Sequence, residues 1–367
     1  ARQLAGAMST ADLIVLTGGL GPTADDRTRD AVADVLGVGM TERAAIVEDI
    51  RERFRGFGME MPEVNRRQAM VPDGATVLAN DHGTAPGLRL ERDGVTLFLL
   101  PGVPRELDAL MEAHLEPWLA ARGGGERLHS RSLRVSCRSE SSVEEALTEV
   151  YAEFGVAAVT VLAGAGDVEV RFTTRGRDAD AAERLRKMLA AGRRALGPSV
   201  YAAEREATLE RIVGELLVER GLTVGTAESC TGGLIAERLT DVPGSSDYFL
   251  GGIVTYSDEA KTSLLGVAPE LLAARGAVSE EVAVEMARGA RSVLGADWGL
   301  SSTGIAGPGG GSDDKPVGTV HVAVAGPAAT GGGDVEHRRL SLVGDRQRVR
   351  RLTSQWALEL LRRRLLP

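Results

Sequence analysis

Cysteine is scarce: Cys137 and Cys230 are the two in 367 residues, far apart and with no metal-ligand spacing. A disulfide scaffold or structural zinc site is therefore not expected, and a reducing cytoplasm is the expected compartment. Aromatic residues make up only 4%. Excess positive charge is lacking too, since the net charge is −9 and the pI near 5.3, so neither a nucleic acid nor an anionic membrane is an expected partner. No apolar run approaches the roughly 18 residues of a membrane span, and no signal-peptide pattern opens the chain.

The composition that is present, 43% hydrophobic and 26% charged, is that of a globular protein. At roughly 150 residues per domain, the length predicts two or three domains. Three segments emerge: 1–122, which is α/β; 128–201, a small α+β unit; and 207–367, again α/β. The glycine run from Gly123 reads as the linker between the first two. Residues 1–8 resemble the end of an amphipathic helix, so the first segment is read as N-terminally incomplete.

The third segment is organised around VGTAESCTGGL, Val224 to Leu234. A β-branched and apolar run passes through a tight turn and resumes at helical spacing, which predicts strand, turn and helix. Ser229 falls at the turn, beside the free N–H groups of a helix start, where Gly232 and Gly233 allow a substrate close approach. The reading as a plain helix cap stands beside it. Further strand-like runs begin at FLGGIVTYS, WGLSSTG, GTVHVAVAG and HRRLSLVG, and a long helix is predicted from Asp345. Strands alternating with helices predict a mostly parallel sheet with ligands beyond the strands' carboxyl ends. Tyr256 and Lys261 follow the second of these strands, and Thr303 and Gly304 the third.

Lys261 follows Ser257 and Asp258, so it belongs to the first turn of a helix, where the positive end of the dipole disfavours an ammonium. A lysine there can accept a proton, and with Ser229 it would form a nucleophile and base, Tyr256 relaying the proton or orienting the base. A solvated surface lysine is the alternative.

In the first segment, LIVLTGGLGPTADD reads as a strand, a loop with Gly18, Gly19 and Gly21, then a helix whose first turn carries Asp25 and Asp26. The two carboxylates, with Thr23, either cap that helix or hold Mg²⁺ against a phosphate. VTLFLLPGVPRE repeats the pattern, with Pro101 and Gly102 in the turn and Glu106 near the next helix start. His82 lies in a turn-rich loop with no second His or Cys nearby. The middle segment has strands at LRVSC and VEVRFTT and helices over 142–154 and 179–196; its AGAGD cluster at Gly164 lacks the lysines of an RNA clamp.

AESCTGG, DVPGSSDYFLGGIVTYSDEAK, GAVSEE, TGIAGPGGG, KPVGTVHVAV and GDRQRVR together resemble the C-terminal domain of the CinA (competence/damage-inducible) family, a nicotinamide-nucleotide amidohydrolase. TGGLGPTADD, MPEVNRRQAMVPDGA, GTAPG and LPGVPRE resemble its molybdopterin-binding-like domain. The resemblance implies hydrolysis of nicotinamide mononucleotide to the acid and ammonia, without a cofactor. It implies Ser229 as nucleophile, Lys261 as general base and Tyr256 as assisting hydroxyl, with backbone oxyanion donors at Thr231, Gly232 and Gly233. Thr303 and Gly304 would line the pyridine and ribose pocket, and Arg346 with Gln347 would meet the phosphate. For the first segment it implies an ADP-ribose pyrophosphatase using Co²⁺, Mn²⁺ or Mg²⁺ on Asp25 and Asp26. The middle segment would be a KH-like module supporting a homodimer. A molybdopterin- or nucleotide-binding protein without turnover is the competing class.

Overall fold

The computed structural model describes residues 2–123, 127–164, 166–327 and 334–366, and the chain divides into two compact units, Ala1–Gly124 and Gly125–Pro367. Apart from Gly123, the linker expected at 123–126 lies outside the described residues, as does Ala165 of AGAGD. Among the described residues no helix is long and apolar enough to cross a membrane.

The first unit runs α1 (Arg2–Met8), β1 (Leu13–Thr17), α2 (Thr28–Leu36), β2 (Met40–Glu42), α3 (Ala44–Gly56), β3 (Met70–Pro72), β4 (Thr76–Leu78), β5 (Gly87–Arg92), β6 (Val95–Leu100), α4 (Pro104–Leu110) and α5 (Glu116–Arg122). Its main sheet has the order β1-β6-β5-β4, with β1 and β6 parallel and the other pairs antiparallel. Every residue of β6 is buried because the strand is covered on both faces. Leu97 and Leu99 meet the α2 and α3 side, while Phe98 and Leu100 meet α4 and Trp118. Since β1 and β6 are parallel, their following turns meet at one sheet edge. A Cβ on Gly102 would come within 3.2 Å of Gly18 Cα, so the two turns approach as only glycines permit.

The helix expected to carry Asp25 and Asp26 in its first turn begins later, at Thr28. Asp26 is instead captured locally, accepting from the Thr23 N–H at 2.8 Å and from its hydroxyl. A short side-chain acceptor of this kind favours a turn over a helix.

The second unit opens with β7 (Arg127–Ser136), α6 (Glu140–Ala146), α7 (Thr148–Phe154), β8 (Val159–Ala163), β9 (Asp167–Gly176), α8 (Asp178–Leu196) and β10 (Val200–Ala202). These form an antiparallel sheet of order β10-β7-β9-β8 backed by helices. The single helix expected over 142–154 is broken at Leu147, and β8 was not anticipated.

There follow α9 (Leu209–Arg220), β11 (Val224–Glu228), α10 (Leu234–Thr240), β12 (Phe249–Val254), α11 (Asp258–Leu265), α12 (Pro269–Arg275), α13 (Glu280–Leu294), β13 (Trp298–Gly304), β14 (Thr319–Ala325), β15 (Val335–Ser341) and α14 (Arg346–Arg364). The sheet order is β12-β11-β13-β14-β15. One face carries α9, α10 and α14 and the other α11 to α13. The sheet is mixed rather than mostly parallel: β12, β11 and β13 are parallel, but β13–β14 and β14–β15 are antiparallel. No helix lies between β13 and β14, and the connecting loop is closed at its base by Ile305 N to Thr319 O (2.9 Å) and Gly318 N to Ile305 O (2.7 Å). Without a crossover the chain must reverse.

The two modules of this unit share buried polar links. Arg238 donates to Glu210 (2.6 Å), Gln355 (2.7 Å) and Ser354 (2.8 Å), and Gln355 donates on to Ser136 Oγ at 3.1 Å. Arg362 reaches the carbonyl of Pro198 at 2.6 Å. Replacing Arg238 by Met leaves Glu210 a buried unpaired carboxylate, a loss of about 3–5 kcal/mol. We expect urea denaturation of Arg238→Met to show that loss in the transition of this unit, and the double variant Arg238→Met/Glu210→Gln to recover part of it.

Candidate active site

The carboxyl ends of β12, β11 and β13 lie together because the three strands are parallel and in register, Glu228 pairing with both Val254 and Ser302. The chain then leaves β11 through residues 229–233. Ser229 N donates to Ser302 O at 2.9 Å and Thr255 N to Glu228 O at 2.8 Å, which fixes the start of the turn against both neighbours. Ser229 is not the cap of α10; that position is Gly233, at φ 94°. The acceptor for the helix start is Glu228, whose carboxylate, 1% exposed, takes the N–H groups of Gly233 (3.0 Å), Ile235 (3.0 Å) and Ala236 (2.8 Å).

This changes the expected oxyanion donors. The Gly233 amide serves Glu228, and the Gly232 amide donates to Ser229 O at 3.1 Å. Among the described residues the amides of Cys230 and Thr231 have no such partner, so they are the donors left at the turn. Thr231 O is gripped by Arg350 through Nε (3.2 Å) and Nη2 (2.6 Å), and the Thr231 hydroxyl is paired with Ser302 at 2.6 Å. The thiol of Cys230, beside Ser229, is pushed up to about 12 by burial, so it is no competing nucleophile.

Lys261 sits in the first turn of α11, capped by Ser257, whose hydroxyl accepts from Ala260 N at 3.2 Å. It is no surface lysine: it is 1% exposed, and Nζ donates to Thr255 O at 3.1 Å and Ser257 O at 3.4 Å, with Asp258 Oδ1 at 3.5 Å. The amine is thus at the end of β12, adjacent to the strand that delivers Ser229. A direct Ser229–Lys261 hydrogen bond, expected from the sequence, is not among those of the described residues; the two backbone carbonyls hold the amine instead.

Among the described residues no hydrogen bond joins Tyr256 to the lysine. Tyr256 is 60% exposed, and its hydroxyl accepts from Arg346 Nη2 at 2.6 Å, while Arg346 Nη1 reaches Gly307 O at 3.1 Å. Arg346 and Arg350 lie four apart on α14, so one helix face braces three loops. Gln347 is exposed. Thr303 and Gly304 are the last residues of β13, but the buried Thr303 hydroxyl is turned to Ala277 O at 2.8 Å, and a Cβ on Gly304 would collide with Val320. Glu228, Arg350 and Thr255 escaped the sequence reading. A carboxylate closing a buried strand was the available signal, since such a group requires partners.

In the first unit a cavity of about 350 Å³ is lined by Gly18, Gly19, Gly21, Asp26, Pro101, Gly102 and Glu106, together with Gln68 and Thr84. Thr23 and Asp25 do not line it, and Asp25 is exposed. Glu106 accepts from Asn80 Nδ2 at 2.6 Å. The two carboxylates expected as a metal pair are not both brought to this cavity: Asp26 lines it and is tied to Thr23, whereas Asp25 does not line it.

Family models match most of the chain in three parts: "Probable molybdopterin binding domain" at residues 1–121, "Damage-inducible protein CinA KH domain" at 130–202 and "CinA C-terminal domain" at 206–365. A "Putative competence-damage inducible protein" of Symbiobacterium thermophilum is 47% identical over 99% of this chain and 87% of its own. A "CinA-like protein" of Solibacter usitatus is 42% identical over 100% of this chain and 86% of its own. A crystal structure of competence/damage inducible protein CihA from Agrobacterium tumefaciens shares 45% identity, covering 42% of this chain and 91% of that one, with a TM-score of 0.40.

A histidine pair with one buried member, His321, faces the α13 side of the same sheet. His321 Nδ1 meets His337 Nε2 at 2.9 Å, and His337 Nδ1 lies 3.4 Å from Glu280. Burial, then the opposing His337, pushes His321 down to about 4 from the ordinary 6.5. The unfolded chain therefore takes up this proton first as pH falls. Stability from this group is complete above about pH 6.5 and declines toward pH 4. We expect the denaturation midpoint to fall across that window and His321→Phe to flatten the fall.

Proposed function

This chain belongs to the CinA family, and from that premise we propose that it hydrolyses the carboxamide of nicotinamide mononucleotide to the acid and ammonia. One observation carries this reading: a buried lysine amine, held by the carbonyls of Thr255 and Ser257, at the end of the strand adjacent to the Ser229 turn. A neutral amine has two N–H groups and one lone pair. With both N–H groups donated to those carbonyls, the lone pair is what remains for an incoming proton.

In the proposed sequence Ser229 Oγ attacks the carboxamide carbon as its proton passes to Lys261. The amides of Cys230 and Thr231 stabilise the oxyanion, each worth about 3 kcal/mol of barrier. Lys261 then returns the proton to the departing nitrogen, and ammonia leaves. Water, deprotonated by the same amine, cleaves the ester and regenerates Ser229. In this reading Arg346, bridged to Tyr256, is the cation that meets the substrate's phosphate. The homodimer and cytoplasmic location remain part of this reading.

The glycine-lined cavity of the first unit favours a second binding site, for a nucleotide such as ADP-ribose or for a molybdopterin. The pyrophosphatase activity stays attached to that site as a proposal. A divalent metal at Asp26 would belong to that activity.

The test is ammonia release from nicotinamide mononucleotide with no added metal. We expect Ser229→Ala and Lys261→Ala each to lose at least about 10³-fold in kcat, as members of one nucleophile and base unit. A Lys261→Ala loss under about tenfold would remove the lysine from the mechanism. Turnover confined to ADP-ribose would move the main chemistry to the first unit.

A further inference from the structure

The proposed mechanism leaves one buried carboxylate unused. Glu228 accepts three backbone N–H groups from residues five to eight positions ahead of it, with Thr226 Oγ1 at 3.5 Å. Its own carbonyl takes Thr255 N at 2.8 Å, and Thr255 O takes Lys261 Nζ at 3.1 Å. One residue therefore ties down both the turn bearing Ser229 and the strand end that anchors Lys261.

Ordinary capping in this protein needs much less. Thr208, Ser257 and Asp345 each cap their helices from the N-cap position with a single acceptor bond. At α10 the cap residue is Gly233, and the acceptor comes from across the turn. Burying a carboxylate is costly unless its hydrogen bonds are strong and complete. Here they fix the far end of the loop, while Arg350 holds its middle at Thr231 O. The α10 amides are thereby withdrawn from any substrate, and the Cys230 and Thr231 amides are left.

We infer that Glu228 is the positioning residue of the active site. Its carboxylate holds the 229–233 turn so that the Ser229 hydroxyl addresses the carbon, and the two free amides the oxygen, of one carbonyl group. It does not touch the substrate. The inference rests on Ser229 being the nucleophile, and its test separates the two.

The full chain is treated with a fluorophosphonate, which needs a nucleophilic serine but no nucleotide. Ser229 Oγ bonds to phosphorus, the P–F bond breaks, fluoride leaves and the hydroxyl proton passes to Lys261. Rate constant and stoichiometry are read from the mass of the Ser229 peptide. We expect one label per wild-type chain. Glu228→Gln, of equal size, labels to full stoichiometry with a rate constant lower by on the order of 10²-fold, the scale of a misplacement of about 1 Å. Glu228→Asp, which keeps the charge, recovers part of that loss.

A purely structural role would lower the labelled fraction and leave the rate constant of the folded fraction unchanged. That outcome, or a wild-type rate in Glu228→Gln, overturns the inference. Should Glu228→Gln fail to fold, Glu228→Asp carries the test: a slower rate at full stoichiometry supports the inference and a wild-type rate overturns it. A wild-type chain left unlabelled at Ser229 overturns the nucleophile reading itself.

Discussion

Lys261 is a primary amine removed from water and held by two main-chain carbonyls, and the site's geometry follows from keeping it there. Burying a polar group without a partner costs about 1–3 kcal/mol, and each ordinary hydrogen bond returns about 0.5–1.5 kcal/mol. The bonds to Thr255 and Ser257 therefore roughly offset burial of the amine, and Asp258, at 3.5 Å, is 56% exposed. Both acceptors belong to the segment linking β12 to α11. Their placement depends in turn on Thr255 bonding back to β11 and on Ser257 capping α11.

The opposite side of the site is fixed by charged side chains bonded to the protein itself. Glu228 reaches the amides of α10, and Arg350 reaches the carbonyl of Thr231 from α14. Arg238, on α10, binds Glu210, Ser354 and Gln355 in a buried cluster that continues to Ser136 of the smaller module. The turn, the three helices on that face and the antiparallel module are thus linked, largely through charge-assisted bonds, roughly twice as strong as neutral ones. Rigid support of this kind suits a site whose donors must be in place before charge develops.

Local order was legible in the sequence, and reach was not. Strand, turn and helix around Ser229 could be read from VGTAESCTGGL, because periodicity and glycines mark such a turn directly. The start of α11 at Asp258 and of α14 after Asp345 followed from capping residues. Strand direction did not follow, since the apolar run of β14 looks the same whichever way it points; only the helix-free 305–318 loop decides it. Asp25 and Asp26 were placed in a helix because acidic residues suit a first turn, but the Thr23–Asp26 bond made a loop of them. Arg350 was hidden in a run of arginines, and Glu228 acts on amides five to eight residues away. Such pairings are set by tertiary approach, which spacing alone does not encode. Tyr256 illustrates the same limit: it lies in the expected loop, but its partner is Arg346, ninety positions on.

Lys261 is proposed to serve Ser229 when a carboxamide is bound, although no hydrogen bond joins the two among those of the described residues. A crystal structure with the acid product, nicotinate mononucleotide, measures this directly. The account predicts the carboxylate carbon against Ser229 Oγ, one carboxylate oxygen on the Cys230 and Thr231 amides, and Lys261 Nζ within about 3 Å of Ser229 Oγ. Product bound elsewhere, or bound at Ser229 with the amine turned away beyond about 4 Å, would contradict it.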